Sequence, residues 1–290
     1  MSELRMTRAS DAPEPDRLAA VFARVRFTAR VFYTGKFCAI HEYGRNGGPG
    51  HIHLLRAGRM VVEGDTLART PVEAPTAILF PRAGLHRLIA VEKDEAELVC
   101  AEIDLGGPSN PLEQGLPPVL ILPLEREDVL GTALGLLFAE ASAQESGCQA
   151  ALDRLAEVAF IYILRRMTAA PQPGYGLLAG LAHPALSRVL THLHQDPGAD
   201  WSLERMADEA GMSRSVFAET FRETVGIAPG NYLTRWRLSL ARSLLQAGQP
   251  AKTVARQVGY ASPAAFSRAF TRQFGMPAGE SAPECDPIAK

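Results

Sequence analysis

The last hundred residues carry one helical pattern twice, and that repeat restricts what this chain can fold into. Leu203, Met206, Ala207 and Ala210 fall at i, i+3, i+4 and i+7, one face of an α-helix. Ala251, Val254, Ala255 and Val258 repeat that face 48 residues later. A glycine follows each copy, Gly211 or Gly259, where a helix is expected to stop. A serine comes next, Ser213 or Ser262, placed to cap a new helix, and Pro263 suits the first position of the second one. Each new helix carries two phenylalanines four apart, Phe217 with Phe221 and Phe266 with Phe270, and each ends in glycine, Gly226 or Gly275. The offset grows from 48 to 49 because the second turn is one residue longer. Helix, glycine-containing turn, helix is the helix-turn-helix pattern. Small Ala207 and Ala255 let the second helix of each copy approach the first closely.

Residues 231–246 between the copies read as one helix with Leu233, Trp236, Leu240 and Leu244 on an apolar stripe. Such a helix fixes the two units relative to each other. Second helices entering successive major grooves would then lie about one DNA turn, roughly 34 Å, apart. Charge agrees in sign. Residues 180–279 hold 11 Lys/Arg and 7 Asp/Glu, a balance of +4, against 18 and 22, a balance of −4, in residues 1–179. A small positive excess suits a segment facing phosphates.

With the phenylalanines turned inward, Arg214, Ser215, Ala218, Glu219 and Arg222 face outward in the first unit. Ser262, Ala264, Ala265, Ser267, Arg268 and Arg272 do so in the second. A bidentate arginine–guanine contact is the commonest specific readout. Arg268, at mid-helix, is expected to make one; contact with phosphate or pairing with an acid is the alternative.

The run from Gly259-Tyr260-Ala261-Ser262 through Phe266-Ser267-Arg268-Ala269-Phe270 to Phe274-Gly275 resembles the signature of the AraC family of bacterial transcription regulators. The first unit, from Ser202 through Gly226 and Pro229 to Tyr232, is similar to the same family, so the resemblance covers about residues 183–280. It implies a base contact at Arg268. Two departures stand out. Glu219 occupies a position where the family commonly has a basic or amide side chain; it can accept from cytosine N4 or pair with Arg222, and pairing is the expectation. The family often closes with an aromatic and a basic residue where this chain has Ser281-Ala282, and the acidic tail from Glu280 is expected to fray.

Residues 27–125 read as β-structure. Short runs at 37–42, 51–55, 59–62, 77–80, 98–103 and 119–122 are separated by turns such as Gly47-Gly48-Pro49-Gly50 and Gly106-Gly107-Pro108. Short strands at close spacing suggest a barrel or a double-sheet roll. His51-Ile52-His53 puts two histidines on one strand face, and Pro81-Arg82-Ala83-Gly84-Leu85-His86 brings a third after a turn. This arrangement resembles the two short motifs of cupins. Val99-Cys100-Ala101-Glu102, with Asn110-Pro111-Leu112 and Leu116-Pro117, resembles a cupin subclass attached to AraC-type regulators. His51, His53 and His86 are therefore candidate ligands for a divalent metal such as zinc or iron, with satisfied core or loop histidines as the alternative. Catalytic cupins usually add a glutamate about four residues after the second histidine. This chain has Ala57 and Gly58 there, which argues against an oxygenase or isomerase.

Four cysteines, Cys38, Cys100, Cys148 and Cys285, show no close pairing and are expected as free thiols. Cys38 and Cys100 fall on expected strands and are candidate oxidant sensors, Cys100 the better one; inert burial is the alternative. Helices are expected at 127–140 and 150–167. The second carries a broad apolar face, Leu152 to Leu164, that needs the barrel or a second chain as partner. Residues 169–176, with Pro171, Pro173 and Gly174, read as a linker. Apolar runs are too short to span a bilayer, and residues 1–16 lack a signal-peptide core, so a cytoplasmic location is expected.

The expected architecture is α+β with two domains: a cupin-like sensory β-barrel over 1–125, bridging and dimerisation helices with a linker over 126–178, and an all-α double helix-turn-helix domain over 179–290. The expected function is sequence-specific regulation of transcription, activation by preference. The expected partners are promoter DNA, a second copy of the chain, RNA polymerase, and an unidentified small-molecule or redox signal. A cupin metalloenzyme carrying a DNA-binding tail is the alternative. A nucleoid protein fits poorly with an isoelectric point near 6.4.

Overall fold

The computed structural model describes residues 16–25, 27–44, 48–91, 96–106, 110–125, 129–169 and 176–281. The expected turns at 47 and 107–108, the start of the first bridging helix at 127, residues 170–175 of the linker, the tail from 282 and Cys285 lie outside them.

Nine strands form the N-terminal half: β1 Thr28–Phe37, β2 Ile40–Tyr43, β3 Gly50–Ala57, β4 Arg59–Gly64, β5 Leu67–Glu73, β6 Thr76–Phe80, β7 His86–Ala90, β8 Ala96–Asp104 and β9 Leu120–Pro123. They build two antiparallel sheets, β1-β8-β3-β6-β9 and β2-β7-β4-β5. The sheets enclose a core that includes Phe37, Leu55, Met60, Val62, Ile78, Leu88 and Leu98. No strand pairing joins them among the described residues, so the expected closed barrel is a double-sheet roll. The chain changes sheet at corners. One is the break at Cys38 and Ala39 between β1 and β2; the segment 37–42, expected as a single strand, is this corner. Another is Gly58, whose φ of +82° no β-branched residue adopts easily. Pro71 is tolerated in β5 because β5 is an edge strand.

The larger sheet is covered on both faces, which explains the unbroken burial of β6 and of most of β3. Its outer face, with Val31, Ile52, Leu79 and Val99, packs on α3 Val129–Ala143 and α4 Cys148–Ala169. The broad face of α4, including Leu152, Phe160 and Ile163, is consumed in this way, so the expected partner is the sheet itself. β1 shifts register between Val31 and Tyr33. There the Val31 N–H donates to Asp153 Oδ1 at 2.8 Å, and Gln149 Nε2 donates to the Val31 carbonyl at 2.8 Å. Two polar side chains of α4 thus complete the backbone bonding of the bulge.

The remaining helices are α1 Ala19–Phe22, α2 Pro111–Gly115, α5 Leu177–Ala182, α6 Pro184–Gln195, α7 Leu203–Ala210, α8 Arg214–Val225, α9 Pro229–Gln246, α10 Ala251–Gln257 and α11 Pro263–Phe274. Both repeat copies fold as helix pairs, α7–α8 and α10–α11. Gly211, Gly226, Gly259 and Gly275 all take positive φ, and Ser213 and Ser262 accept the Val216 and Ala265 N–H groups. The four repeat phenylalanines are buried, each contributing about 1.5–3 kcal/mol by leaving water. One apolar cluster runs from the sheet through α4, α5 and α6 into the first unit, ending at Trp236 of α9. The second unit has its own cluster, which begins at Leu238 of the same helix.

Candidate DNA interface and sensory histidines

The outward faces of α8 and α11 place the candidate contact residues as follows. Arg214, Ser215, Glu219 and Arg222 are exposed on α8, with Ala218 half-buried. Ser262, Ala264, Ser267, Arg268 and Arg272 are exposed at or along α11, with Ala265 half-buried. Ser262 has a second duty, since its Oγ caps α11. No ion pair or side-chain hydrogen bond engages Arg214, Arg222, Arg268 or Arg272 among the described residues. The expected Glu219–Arg222 pair is likewise not formed there. Both side chains are exposed, where such a pair gains little over water.

In the N-terminal domain the fold brings His51, His53 and His86 together. His51 and His53 share a face of β3 with rings 6.0 Å apart, and His86 at the start of β7 lies 5.1 Å from each. Tyr43 and Phe80 complete an aromatic wall that the sequence did not reveal, with Phe80 stacked on His86 at 3.8 Å. His86 Nδ1 faces the Gly84 carbonyl at 3.0 Å. A carbonyl only accepts, so this nitrogen carries the proton and Nε2 keeps a lone pair. His53 Nε2 lies 2.8 Å from His86 Nε2 and must be its donor. The Nδ1 atoms of His51 and His53 are buried without a partner. Burial holds all three imidazoles neutral; it lowers the pKa of His86 to about 4, with the Gly84 carbonyl opposing and His51 adding to the drop.

This arrangement does not fit a metal as it stands. Two nitrogens bound tetrahedrally at about 2.1 Å lie roughly 3.4 Å apart, whereas these share a proton at 2.8 Å. Among the described residues no three His, Cys, Asp or Glu side chains are arranged to hold an ion. Metal content of protein purified without chelator or histidine tag is accordingly expected near zero per chain. A value near one that is lost in His53→Ala would contradict this.

The cysteines also part company. Cys100 is fully buried, and burial pushes its thiol far above the ordinary range despite a Tyr43 hydrogen bond that opposes the shift. It lacks the thiolate character and the access that oxidant sensing requires, so it is not the better sensor candidate. Cys38 is exposed, and it lies in the corner after β1 rather than on a strand.

At the end of the larger sheet a cavity of about 670 Å³ is lined by Arg30, Arg82, Glu102, Asp104 and Glu113, among others. Arg82 donates to the carbonyls of Glu113 at 2.6 Å and Leu116 at 2.8 Å, tying the loop before His86 to α2. At the end of α2, Gly115 meets Gly176 and Leu177 so closely that a Cβ on Gly176 would fall 2.7 Å from the Gly115 Cα. The Gly176 N–H donates to Thr224 in the last turn of α8. A continuous chain of contacts therefore joins the cavity to the first outward helix.

Two capped helix-turn-helix units on one rigid helix, behind a double-sheet sensory roll, define a two-domain DNA-binding regulator. A cupin family model matches residues 16–169, and a helix-turn-helix domain model matches residues 206–282. A putative AraC-like transcription regulator of Streptomyces lividans is 35% identical over 224 residues, covering 74% of this chain and 73% of its own length. The RCS-specific HTH-type transcriptional activator RclR of Escherichia coli is 30% identical over 233 residues, 79% of this chain and 82% of its own. The crystal structure of ToxT from Vibrio cholerae aligns over 88% of this chain and 96% of its own, with 16% identity and a TM-score of 0.38. The chain belongs to the AraC-like transcription regulators. It is a DNA-binding regulator with an N-terminal sensing domain, not a cupin enzyme. No helix among its described residues is long and apolar enough to cross a membrane.

Proposed function

We propose that the α8 and α11 faces enter successive major grooves of promoter DNA and that Arg268 reads a guanine there. Arg214, Ser215, Ala218, Glu219 and Arg222 belong to the first contact face. Ser262, Ala264, Ala265, Ser267 and Arg272 accompany Arg268 in the second. The carrying observation is the pair of identically capped helices whose outward arginines have no hydrogen-bond or ion-pair partner in the described protein. The test is binding of the full chain to duplexes selected from a random library. Affinity for the selected sequence should exceed that for its scrambled version by at least about 10³-fold at physiological salt. Equal binding would remove the reading.

The division into a sensory part over 1–125, a bridging part over 126–178 and a DNA-binding part over 179–290 belongs to the same proposal. A signal at the cavity lined by Arg82 and Glu113 acts through α2 and the Gly115–Gly176 approach on α8. Activation through RNA polymerase, and the cytoplasmic location that this requires, fit the activator named among the relatives.

The regulator works as a homodimer through α3. Val129, Leu136, Ala139 and Ala143 are exposed at helical spacing on its outer face, Leu136 at 53%. The described part of α3 has Glu140 as its sole charged residue. Leu136→Glu is expected to weaken the dimer at least about tenfold, by placing a charge in an apolar contact. Sedimentation equilibrium reads this directly. A wild-type monomer, or a variant that still dimerises normally, would exclude α3.

A further inference from the structure

The apolar core of α9 changes owner at one residue. Tyr232, Leu233 and Trp236 belong to the cluster of the first unit, and Leu238, Leu240, Ala241 and Leu245 to that of the second. Arg237 stands between them. Its side chain leaves the helix toward the loop 196–200, which joins α6 to α7 in the first unit. Arg237 Nε donates to the Pro197 carbonyl at 2.7 Å, and a terminal nitrogen donates to the Ala199 carbonyl at 2.8 Å. The neighbouring carbonyls are held as well: Asp196 accepts from Trp201 Nε1 at 2.8 Å, and Asp200 accepts from Arg205 at 3.0 Å. Arg205 in turn stacks 4.1 Å over the Trp201 ring. The loop is therefore rigid along its length.

This rigid loop rests on the turn of the second unit. A Cβ on Gly198 would fall 2.7 Å from the Gln257 carbonyl oxygen. A Cβ on Gly259 would fall 2.8 Å from the Arg237 guanidinium and 2.9 Å from the Gly198 carbonyl oxygen. Two backbones meet with no room for a side chain, and the Arg237 guanidinium fills the angle between them. Tyr260, Asp196 and Asp200 surround that charge. The two units have separate cores, and among the described residues α9 and this junction link them and set the angle between them.

We propose that Arg237 is a specificity-determining positioning residue. By bridging the Pro197 and Ala199 carbonyls against the Gly259 turn, it fixes α8 relative to α11 and thereby the base-pair spacing at which the two halves of a site are read. The inference rests on the proposal that both units contact DNA. One added base pair rotates the second groove by roughly 34° and moves it about 3.4 Å, which a rigid pair of units cannot follow. Lysine cannot replace the function, because its single ammonium lacks the planar fork that reaches two carbonyls at fixed angles.

The test selects duplexes from a random library in parallel with the full wild-type chain, Arg237→Ala, Arg237→Lys and Gly198→Ala. The wild type is expected to yield two motifs at one spacing and to prefer that spacing over one base pair more or fewer by about tenfold or more. The variants are expected to yield the same two motifs at mixed spacings, with that preference reduced to about twofold. Their affinity for a probe with either motif scrambled should stay within about twofold of wild type, a result that a general loss of folding would not give. Arg237→Lys and Gly198→Ala keep the test open if Arg237→Ala does not fold. Unchanged spacing preference in the variants overturns the assignment while leaving two-groove binding intact. A single motif selected by the wild type overturns two-groove binding and the assignment with it. A loss that is equal on every probe reduces Arg237 to a structural residue and also overturns the assignment.

Discussion

Arg268→Ala is expected to lose about 10- to 100-fold in affinity for the selected site and to stop discriminating at one base pair. Ser262 caps α11, and Phe266 and Phe270 anchor its inner face, so Arg268 projects from a rigid support. Its guanidinium has no hydrogen-bond or ion-pair partner within the described protein and would spend none of its donors before reaching DNA. A bidentate contact to guanine O6 and N7 is worth about 1–3 kcal/mol of discrimination. Anisotropy titrations on the selected duplex and on its three substitutions at each position measure the effect. Salt dependence separates the two chemistries available to an arginine. A base contact leaves the slope of log K against log salt nearly unchanged, whereas a phosphate contact lowers it by about one and weakens all sequences alike. The second pattern would show that Arg268 positions the protein and that another residue reads the base.

Legibility in the sequence followed how local each signal is. The two helix-turn-helix units were readable because caps, glycine stops and apolar faces lie within a few residues of each other and recur. The three histidines were readable as a group because β3 alternation and a Pro/Gly turn are local. Helix α6 was missed although Leu186, Val189, Leu190 and Leu193 follow helical spacing; its cap is His183, whose Nδ1 accepts from Ala185 and Leu186, and histidine is not a usual capping residue. β5 was missed because its polar residues and Pro71 suit an edge strand, which lacks the apolar alternation of a covered one. Cys100 could not be judged from sequence, since its burial depends on β1 and β3 beside it and on the second sheet packed against them. Arg237 was invisible for the same reason. Its partners lie about 40 residues before it, at 197 and 199, and the loop reads as an ordinary polar turn. The metal expectation needed three converging donors, and spacing alone could not show that His53 and His86 already satisfy each other.

Acid is expected to unfold this protein earlier than its carboxylates alone would dictate, because the fold buries neutral histidines. His194 is fully buried in the first unit, 2.8 Å from the Tyr232 hydroxyl and 4.0 Å ring to ring from Trp236. Whichever of His194 and Tyr232 donates, His194 Nδ1 remains unpaired, as does Trp236 Nε1. Among the described residues no acceptor is in place for the second proton of an imidazolium. Burial lowers the pKa of His194 to about 3, and that of His86 to about 4. Both values lie below the unfolded value near 6.5, so the unfolded chain binds more protons at intermediate pH and stability rises with pH there. The stabilisation is complete above about pH 6.5 and is lost as pH falls through that value toward 4 and 3. Between pH 7 and pH 5 each of these two histidines is expected to forfeit on the order of 2 kcal/mol. Together that is a large part of the total stability of roughly 5–15 kcal/mol typical of a domain. Urea unfolding at the two pH values measures the loss. In His194→Gln, which can still bond Tyr232 but does not titrate, the difference between pH 7 and pH 5 should shrink by the His194 share. Equal midpoints at both pH values in the wild type would mean that these imidazoles gain protons in the folded state without cost, and would overturn the prediction.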